Sequence, residues 1–383
     1  MYLLLLAVIY LAFISLGLPD SLLGSAWPSI HTELDIPLSY MGIISMIISG
    51  LAIITSLLSE KVTKRFSTRS VTAVSILLTA LGMYGFSHSK NLVQLCLWTI
   101  PYGVGGGAID AALNNYVAQH YSSKHINWLH CFWGVGTIIS PYLMGYAVKN
   151  YHWTVGYRMV AVLQIVIFVI FLLSFPLWKV NKDSQTQENK NADKISQLIK
   201  IDGVKAILVG FFCYCSAEAT CMLWASSYLE QLNNLTKDQA ASFGSLFFIG
   251  ITVGRLISGF LSDKLKDNEL IKIGSTIAVV GAVLIIYPNV ITSVIGFIII
   301  GLGCAPIYPC IIHSTVDNFS IEHCHGVIGL QMACAYIGST FAPAIFSYIV
   351  KYVPVRIMPL YILVFFIVLK ISYNLSQRQI KKL

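Results

Sequence analysis

The sequence predicts an all-α, polytopic membrane protein with twelve transmembrane helices in two pseudo-symmetric six-helix halves. Of its 383 residues, 56% are hydrophobic and 11% are charged, and the mean hydropathy is +0.73. Soluble domains carry about a quarter charged residues, so this composition excludes an ordinary soluble fold. Apolar stretches of ~20 residues, long enough to cross a bilayer, recur along the whole chain. Several segments of the first half also return in the same order in the second half.

Apolar runs between polar breaks mark the predicted spans. The first run starts at Met1 and shows neither the basic region nor the cleavage site of a secretory signal, so we expect it to remain as the first span. The predicted spans are 3–31, 38–59, 70–88, 92–120, 126–148, 155–178, 203–230, 238–261, 270–287, 289–313, 325–350 and 355–375.

One extended polar stretch, residues 181–200, interrupts the apolar pattern near the middle of the chain. Its composition is typical of a linker between two bodies. We therefore expect an N-terminal six-helix bundle at 1–178, a cytoplasmic linker at 179–202 and a C-terminal six-helix bundle at 203–383.

Lys and Arg residues are distributed unevenly between the two sides of the predicted membrane. With the N-terminus in the cytoplasm, sixteen of them fall in inside segments and six in outside segments. Because cytoplasmic loops are enriched in Lys and Arg, both termini are predicted to be cytoplasmic, in a multi-pass protein of the plasma membrane. The Lys and Arg residues in the loops between spans account for the net charge of +8, so no nucleic-acid partner is expected. The nine cysteines show no metal-ligand spacing, so neither a metal nor another cofactor is predicted.

The two halves match at four places with a nearly constant offset. Gly50 corresponds to Gly250, and the three further matches pair residues 59–66 with 259–266, 103–114 with 301–312 and 134–141 with 336–343. Residues 259–264, Gly-Phe-Leu-Ser-Asp-Lys, resemble the G-x-x-x-D-[RK] loop motif of the major facilitator superfamily, whose parallel halves enclose a central cavity. The resemblance implies close helix packing at Gly259 and a gating or structural pairing for Asp263.

Further stretches resemble the fucose–galactose–hexose proton symporter branch of that superfamily and its poorly characterised relatives. The matching segments are Ser216-Ala217-Glu218 with Ser227-Tyr228-Leu229, Gly254-Arg255, Asp110 to Asn114, and Ala305 to Pro309. Asp110 stands where the branch has Glu, and Trp-Leu-His at 128–130 departs from its sugar-symporter pattern. The resemblance implies proton-coupled uptake of a small hydroxylated solute, a sugar, by alternating access.

Three acids inside the predicted spans are the candidates for carrying the coupling proton: Asp20, Asp110 and Glu218. Ionisable groups at membrane depth are costly and indicate function by default. The structural alternatives are a helix-end cap for Asp20 and interhelical hydrogen-bonded pairs for the other two. Asn114 shares a helix face with Asp110, so a carboxyl and an amide together can bind hydroxyl groups.

Substrate binding is predicted for Asn114, His130, Trp133, Gln331 and Trp224. His130 and Trp133 share a face of the fifth span, where an aromatic ring can stack on a sugar and a polar neighbour can orient its hydroxyl groups. A structural hydrogen bond is the alternative for His130. Arg255 is predicted to gate or stabilise the bundle by pairing with a carboxylate.

The main alternative keeps the fold and changes the activity to a proton-coupled antiporter that exports drugs or metabolites. Residues 136–145 partly resemble the fifth-span motif of such exporters, although hexose symporters share a similar run. A membrane enzyme would need catalytic groups at the membrane surface, whereas these acids lie within spans, so no enzymatic activity is predicted. A nutrient sensor of transporter shape is a further alternative. The chain is expected to bind its small-molecule substrate within the bilayer as a monomer.

The distribution of Lys and Arg predicts the side of the membrane that each terminus faces. Green fluorescent protein fused after Leu383 should fluoresce, because it matures in the cytoplasm. Alkaline phosphatase, which is active only outside, should be inactive at that position and active when inserted after Asn150. The reverse pattern would contradict the predicted orientation.

Overall fold

A computed structural model describes residues 2–121, 123–178, 195–231, 235–262, 264–287, 289–319 and 321–380, and these ranges contain helices and loops but no strand. The α-helices are α1 Tyr2–Asp20, α2 Leu22–Glu33, α3 Met41–Phe66, α4 Thr68–Phe86, α5 Leu92–His120, α6 Ser123–Asn150, α7 Trp153–Leu173, α8 Ile195–Leu198, α9 Val204–Glu230, α10 Lys237–Gly244, α11 Leu246–Leu261, α12 Asp267–Leu284, α13 Val290–Cys304, α14 Ile307–Asn318, α15 Ile321–Ile349 and α16 Met358–Ile380.

Eleven segments of the described chain are long and apolar enough to cross a membrane, and their positions agree with the predicted spans. Three of them join two helices: α1 with α2, α10 with α11, and α13 with α14. The predicted ninth span is helix α12, which packs against α13 and α16 in the same bundle. Its first two turns carry three charged residues, Asp267, Glu269 and Lys272, which sets it apart from the eleven apolar segments.

The first span is interrupted close to its middle. Pro19 lies in the last turn of α1, where its ring removes one backbone hydrogen bond, and Ser21 separates α1 from α2. Proline leaves the Ser15 carbonyl oxygen without its helical N–H donor, and this oxygen accepts from Gln164 Nε2 on α7 at 2.9 Å instead. Asp20 therefore lies at a helix end inside the bundle, with its carboxyl group free to reach neighbouring helices.

Each half packs mainly on itself. In the first half, α1 contacts α6, and α5 contacts α3 and α4; in the second, α9 contacts α15 and α16, and α13 contacts α11 and α12. The halves meet where α2 packs on α9, α3 on α15, and α6 on α10 and α11. The division at 178 and 203 stays a prediction, and residues 179–194 of the proposed linker lie outside the described part of the chain.

The halves are in close contact at the end of the bundle opposite Tyr2 and Ile380, which we call the far end. A Cβ atom added to Gly24 would lie 2.7 Å from the Leu223 carbonyl oxygen. A Cβ at Gly42 would overlap the side chain of Ser347, so the far end is closed. At the other end, a Cβ on Gly259 or Gly329 would meet no described atom within 4 Å.

Helices α1 and α6 are in backbone contact through glycine. A Cβ on Gly17 would overlap the Trp133 carbonyl oxygen, and one on Gly136 would overlap the Ile14 carbonyl oxygen. Small residues at helix interfaces allow such close approach in membranes. The contact holds Trp133 beside the end of α1, where Asp20 lies.

Gly17→Ala should lower stability, because the added methyl group must push α6 away from α1. Overpacking of this kind costs about 1–3 kcal/mol. We expect a melting temperature in detergent several degrees below that of the unmodified protein. Gly50→Ala is the matched control, since a Cβ there meets no described atom within 4 Å. Equal melting temperatures for the two variants would contradict the close contact.

Candidate functional site

Asp20 is bound by two side chains from other helices of the first half. Its Oδ1 atom accepts a hydrogen bond from the Tyr102 hydroxyl on α5 at 2.8 Å, and its Oδ2 atom accepts one from Trp133 Nε1 on α6 at 2.7 Å. No Lys, Arg or His nitrogen of the described residues lies within 4.0 Å of this carboxyl group. The alternative of a cap at the membrane surface is therefore wrong, since Asp20 contacts two other spans instead.

Asp110 and Asn114 form the pair that their spacing predicts. The Asn114 side-chain amide donates to Asp110 Oδ1 at 2.9 Å and to the Asp110 carbonyl oxygen at 3.0 Å, and both side chains are partly buried. Two tyrosines of the second half, Tyr308 and Tyr336, are close enough to Asp110 to interact with its charge. Within the described chain, no cationic side chain lies within 4.0 Å of this carboxyl group either.

Glu218 has a charged partner. Arg255 Nη2 lies 3.7 Å from Glu218 Oε1, and the two side chains are 15% and 14% exposed. This is the carboxylate pairing that was predicted for Arg255. The same guanidinium group lies over the indole ring of Trp133, with 5.5 Å from its Cζ atom to the ring centre. Arg255 of the second half thus contacts both an acid of its own half and an aromatic ring of the first.

His130 and Trp133 lie on α6, the predicted fifth span, close to this contact. The His130 ring packs edge-on against Phe13 with 5.8 Å between ring centres, and His130 is close enough to Arg255 to interact with its charge. Both α6 side chains are partly exposed. They line the region between the two halves together with Asp20 and Arg255.

Gln331 and Trp224 are buried within the second half, and the described contacts do not bring them to the aspartates. The Gln331 amide exchanges hydrogen bonds with the Thr315 hydroxyl at 2.8 and 3.1 Å, which ties α15 to α14. Trp224 is 0% exposed and packs edge-on against Phe346 at 5.1 Å between ring centres. The Trp224 Nε1 atom has no hydrogen-bond partner in the described structure.

The predicted loop motif is only partly described. Gly259 is exposed, and no described atom would lie within 4 Å of a Cβ there, so its structural or gating role stays a prediction. Gly259 lies in the last turn of α11. Asp263 lies outside the described residues.

Three tyrosines complete the site: Tyr102, Tyr308 and Tyr336. The sequence did not identify any of them as a site residue. One signal was available for Tyr102, which precedes Asp110 by eight residues and therefore shares its side of α5. The other two come from the second half. Their proximity to Asp110 depends on how the halves pack, which helical spacing does not reveal.

Comparison with known proteins gives the family. The model of the Major Facilitator Superfamily matches residues 9–343. The chain is 24% identical to the glucose/mannose transporter GlcP of Bacillus subtilis over 73% of this chain and 69% of that protein. It is 21% identical to the cis,cis-muconate transport protein of Acinetobacter baylyi, with 89% and 86% covered. The match to yeast bypass of stop codon protein 6, also 21% identical, spans 67% of this chain and 56% of that protein.

Solved structures agree at the level of the fold. A mutant form of the nucleoside transporter NupG superposes with a TM-score of 0.78 at 14% identity, covering 97% of this chain and 99% of the other. FucP in its outward conformation gives a TM-score of 0.64 at 14% identity, covering 97% and 98%. The family match extends over most of the chain and includes the α1, α5, α6, α9 and α11 residues described above. The chain is therefore a multi-pass membrane transporter for a small molecule, not an enzyme, and belongs to the major facilitator superfamily.

Proposed function

We propose that the protein takes up a small hydroxylated solute, a sugar, together with protons by alternating access. One observation carries the proposal: two carboxyl groups, Asp20 and Asp110, lie inside the bundle with neutral hydrogen-bond donors and no described cation within 4.0 Å. A buried carboxylate without a cation is costly, so each group is suited to bind and release a proton as the site opens to either side. No cofactor other than the coupling proton is required.

The ion pair of Glu218 supports a different role for this third acid. Arg255 already neutralises the Glu218 carboxylate, and removing one partner of such a buried pair leaves an uncompensated charge. We therefore assign proton binding to Asp20 and Asp110, and bundle stability or gating to Glu218 with Arg255.

The surroundings of Asp110 support a hydroxylated solute. The Asn114 amide and the two nearby tyrosines offer hydrogen-bonding groups beside flat aromatic surfaces. Sugars present the same combination of hydroxyl groups and C–H faces. The similarity to a glucose/mannose transporter points the same way. We infer a monomer, because one chain contains both halves. The distribution of Lys and Arg supports a protein of the plasma membrane with both termini in the cytoplasm.

A second candidate solute is a small carboxylate. Arg255 Nη1 is buried and has no hydrogen-bond partner in the described structure, and guanidinium groups bind carboxylates in a planar geometry. Two relatives are named for transport of cis,cis-muconate and of 4-hydroxybenzoate, both carboxylates. The drug or metabolite antiporter remains an alternative mode for the same fold.

Asp20→Asn and Asp110→Asn should each abolish solute-driven proton movement, because an amide cannot bind the coupling proton. The measurement is the signal of a pH dye inside proteoliposomes after solute addition. Asp267→Asn is the matched control, since this acid pairs with His313 at the start of α12, away from the central site. Full proton movement in both aspartate variants, with loss only in Glu218→Gln, would overturn the assignment.

The solute class is tested with the unmodified protein and a panel of hexoses, deoxyhexoses, disaccharides, cis,cis-muconate and 4-hydroxybenzoate. Acidification of the lumen by a sugar would support the proposal. Acidification by the carboxylates alone would favour the second candidate, and alkalinisation driven by solute entry would favour the antiporter.

Asn114→Leu should weaken the apparent affinity for the transported solute by roughly 3–10-fold, the scale of one lost hydrogen bond. Asn150→Leu is the control, because Asn150 is exposed at the end of α6 and binds only the Tyr146 carbonyl oxygen in the described structure. Unchanged affinity in Asn114→Leu would remove this residue from the binding site.

A further inference from the structure

Lys370 is a charged residue within a transmembrane segment, and the proposed transport cycle does not use it. It lies on α16 in the apolar segment Val355–Ile380, and its ammonium group donates to the Thr276 hydroxyl on α12 at 3.0 Å. In the described structure this group has no other hydrogen-bond partner and no carboxylate within 4.0 Å. Ionisable groups in spans are costly and indicate function by default. An ammonium group has three N–H donors, so Lys370 can bind a further acceptor.

The ammonium group of Lys370 lies close to one surface of the membrane. The Thr276 hydroxyl that accepts from it donates in turn to the Lys272 carbonyl oxygen at 2.7 Å. Lys272 is in the second turn of α12, two residues inside the predicted ninth span. Asn268, near the start of α12, donates to Gln377, near the end of α16, at 2.8 Å. The start of α12 and the end of α16 therefore meet at the same membrane surface, and the Lys370 ammonium group lies just inside it.

Lys272 places a second cation beside this group. Its side chain is exposed, and none of the described carboxylates lies within 4.0 Å of its ammonium group. The two acids in the first turn of α12 already have partners. Asp267 binds His313 Nδ1 at 2.6 Å, and Glu269 accepts from the Lys266 backbone N–H at 3.0 Å. The described part of the chain thus leaves both cations without a neutralising partner.

Apolar side chains flank these charges on the outer surface of the bundle. Ile367 and Ile371 on α16 are 42% and 62% exposed, and Ile273 and Val280 on α12 are 47% and 50% exposed. In a bilayer these side chains contact acyl chains. Positive charge at the end of an apolar surface complements a phospholipid, whose phosphate lies at the membrane surface above its acyl chains. Basic pockets between transmembrane helices bind anionic headgroups in this way.

We propose that Lys370, Lys272 and Thr276 form a binding site for one anionic phospholipid between α12 and α16, at the end of the bundle that holds both termini. Lys370 and Lys272 each donate a charge-assisted hydrogen bond to the phosphate group. Thr276 orients the Lys370 side chain toward α12. The acyl chains lie along the exposed isoleucines of both helices. A free phosphate ion offers the same oxygens but covers none of this apolar surface, so the surface favours the lipid.

This site is separate from the proposed transport site. Lys272 and Thr276 are exposed on the outside of the second half, whereas Asp20 and Arg255 meet Trp133 between the halves. The inference therefore goes beyond the proposed function. A result for the lipid leaves the solute and proton assignments unchanged, and the reverse also holds.

Native mass spectrometry of the full-length protein in detergent measures which lipids stay bound. Phosphatidylglycerol is titrated in the presence of phosphatidylcholine with the same acyl chains, so that only the headgroup and its net charge differ. Inorganic phosphate is added in a separate series. For the unmodified protein we expect one phosphatidylglycerol to be retained in preference to phosphatidylcholine, with no displacement by phosphate.

Lys370→Met keeps the length of the side chain and removes its charge. The apparent dissociation constant for phosphatidylglycerol should rise roughly fivefold, the scale of one Lys at an anionic membrane surface. Lys370→Arg should retain the preference, because the cation is kept. Lys272→Met should give a rise of similar size, and it serves as the second test if Lys370→Met does not fold, since the Lys272 side chain is exposed.

Lys90→Met is the matched control, because Lys90 is exposed in the far-end loop between α4 and α5. It should leave the retention of phosphatidylglycerol unchanged. Equal affinity in the unmodified protein and in both the Lys370→Met and Lys272→Met variants would overturn the site, and so would equal retention of phosphatidylcholine. Displacement of the lipid by inorganic phosphate would assign the two cations to a free anion and overturn the lipid as occupant.

Discussion

Burying carboxyl groups inside a bilayer is the constraint on which the rest of this structure depends. A charge at membrane depth is tolerated only with partners that replace water. The protein meets this requirement in three ways. Asp20 takes two neutral donors from other helices, Asp110 takes the amide of Asn114, and Glu218 takes the charge of Arg255. Because these partners differ, Asp20 and Asp110 are suited to exchange a proton, whereas Glu218 is held in an ion pair.

Glycine contacts place these partners where they are needed. Backbone approach of α1 and α6 at Gly17 brings Trp133 to the carboxyl group at the end of α1. The break after Pro19 ends α1 at Asp20, so the Asp20 carboxyl group lies at a helix end, where it can reach neighbouring helices. Close approach at Gly24 and Gly42 seals the far end. Packing between helices thus decides both which side chains bind Asp20 and how closely the halves meet at the far end.

The site lies between two bodies, and the function proposed for it depends on that position. The first half supplies both acids assigned to proton binding, whereas the second half supplies the arginine and the two tyrosines near Asp110. Relative movement of the halves changes these contacts together. A change in charge in one half can therefore be transmitted as a change in packing of the other, which is the physical requirement for coupling a proton to a conformational cycle.

The approximate positions of the spans were determined by the sequence alone, because the bilayer imposes a length and an apolar character that are readable locally. The acids within the spans and the Asp110–Asn114 pair were likewise predictable, since a pair one turn apart is fixed by helical geometry. Only the tertiary structure decided that Asp20 binds Tyr102 and Trp133. These partners are distant in the chain, and their contacts arise from helix crossing and glycine packing, which leave no periodic pattern in the sequence.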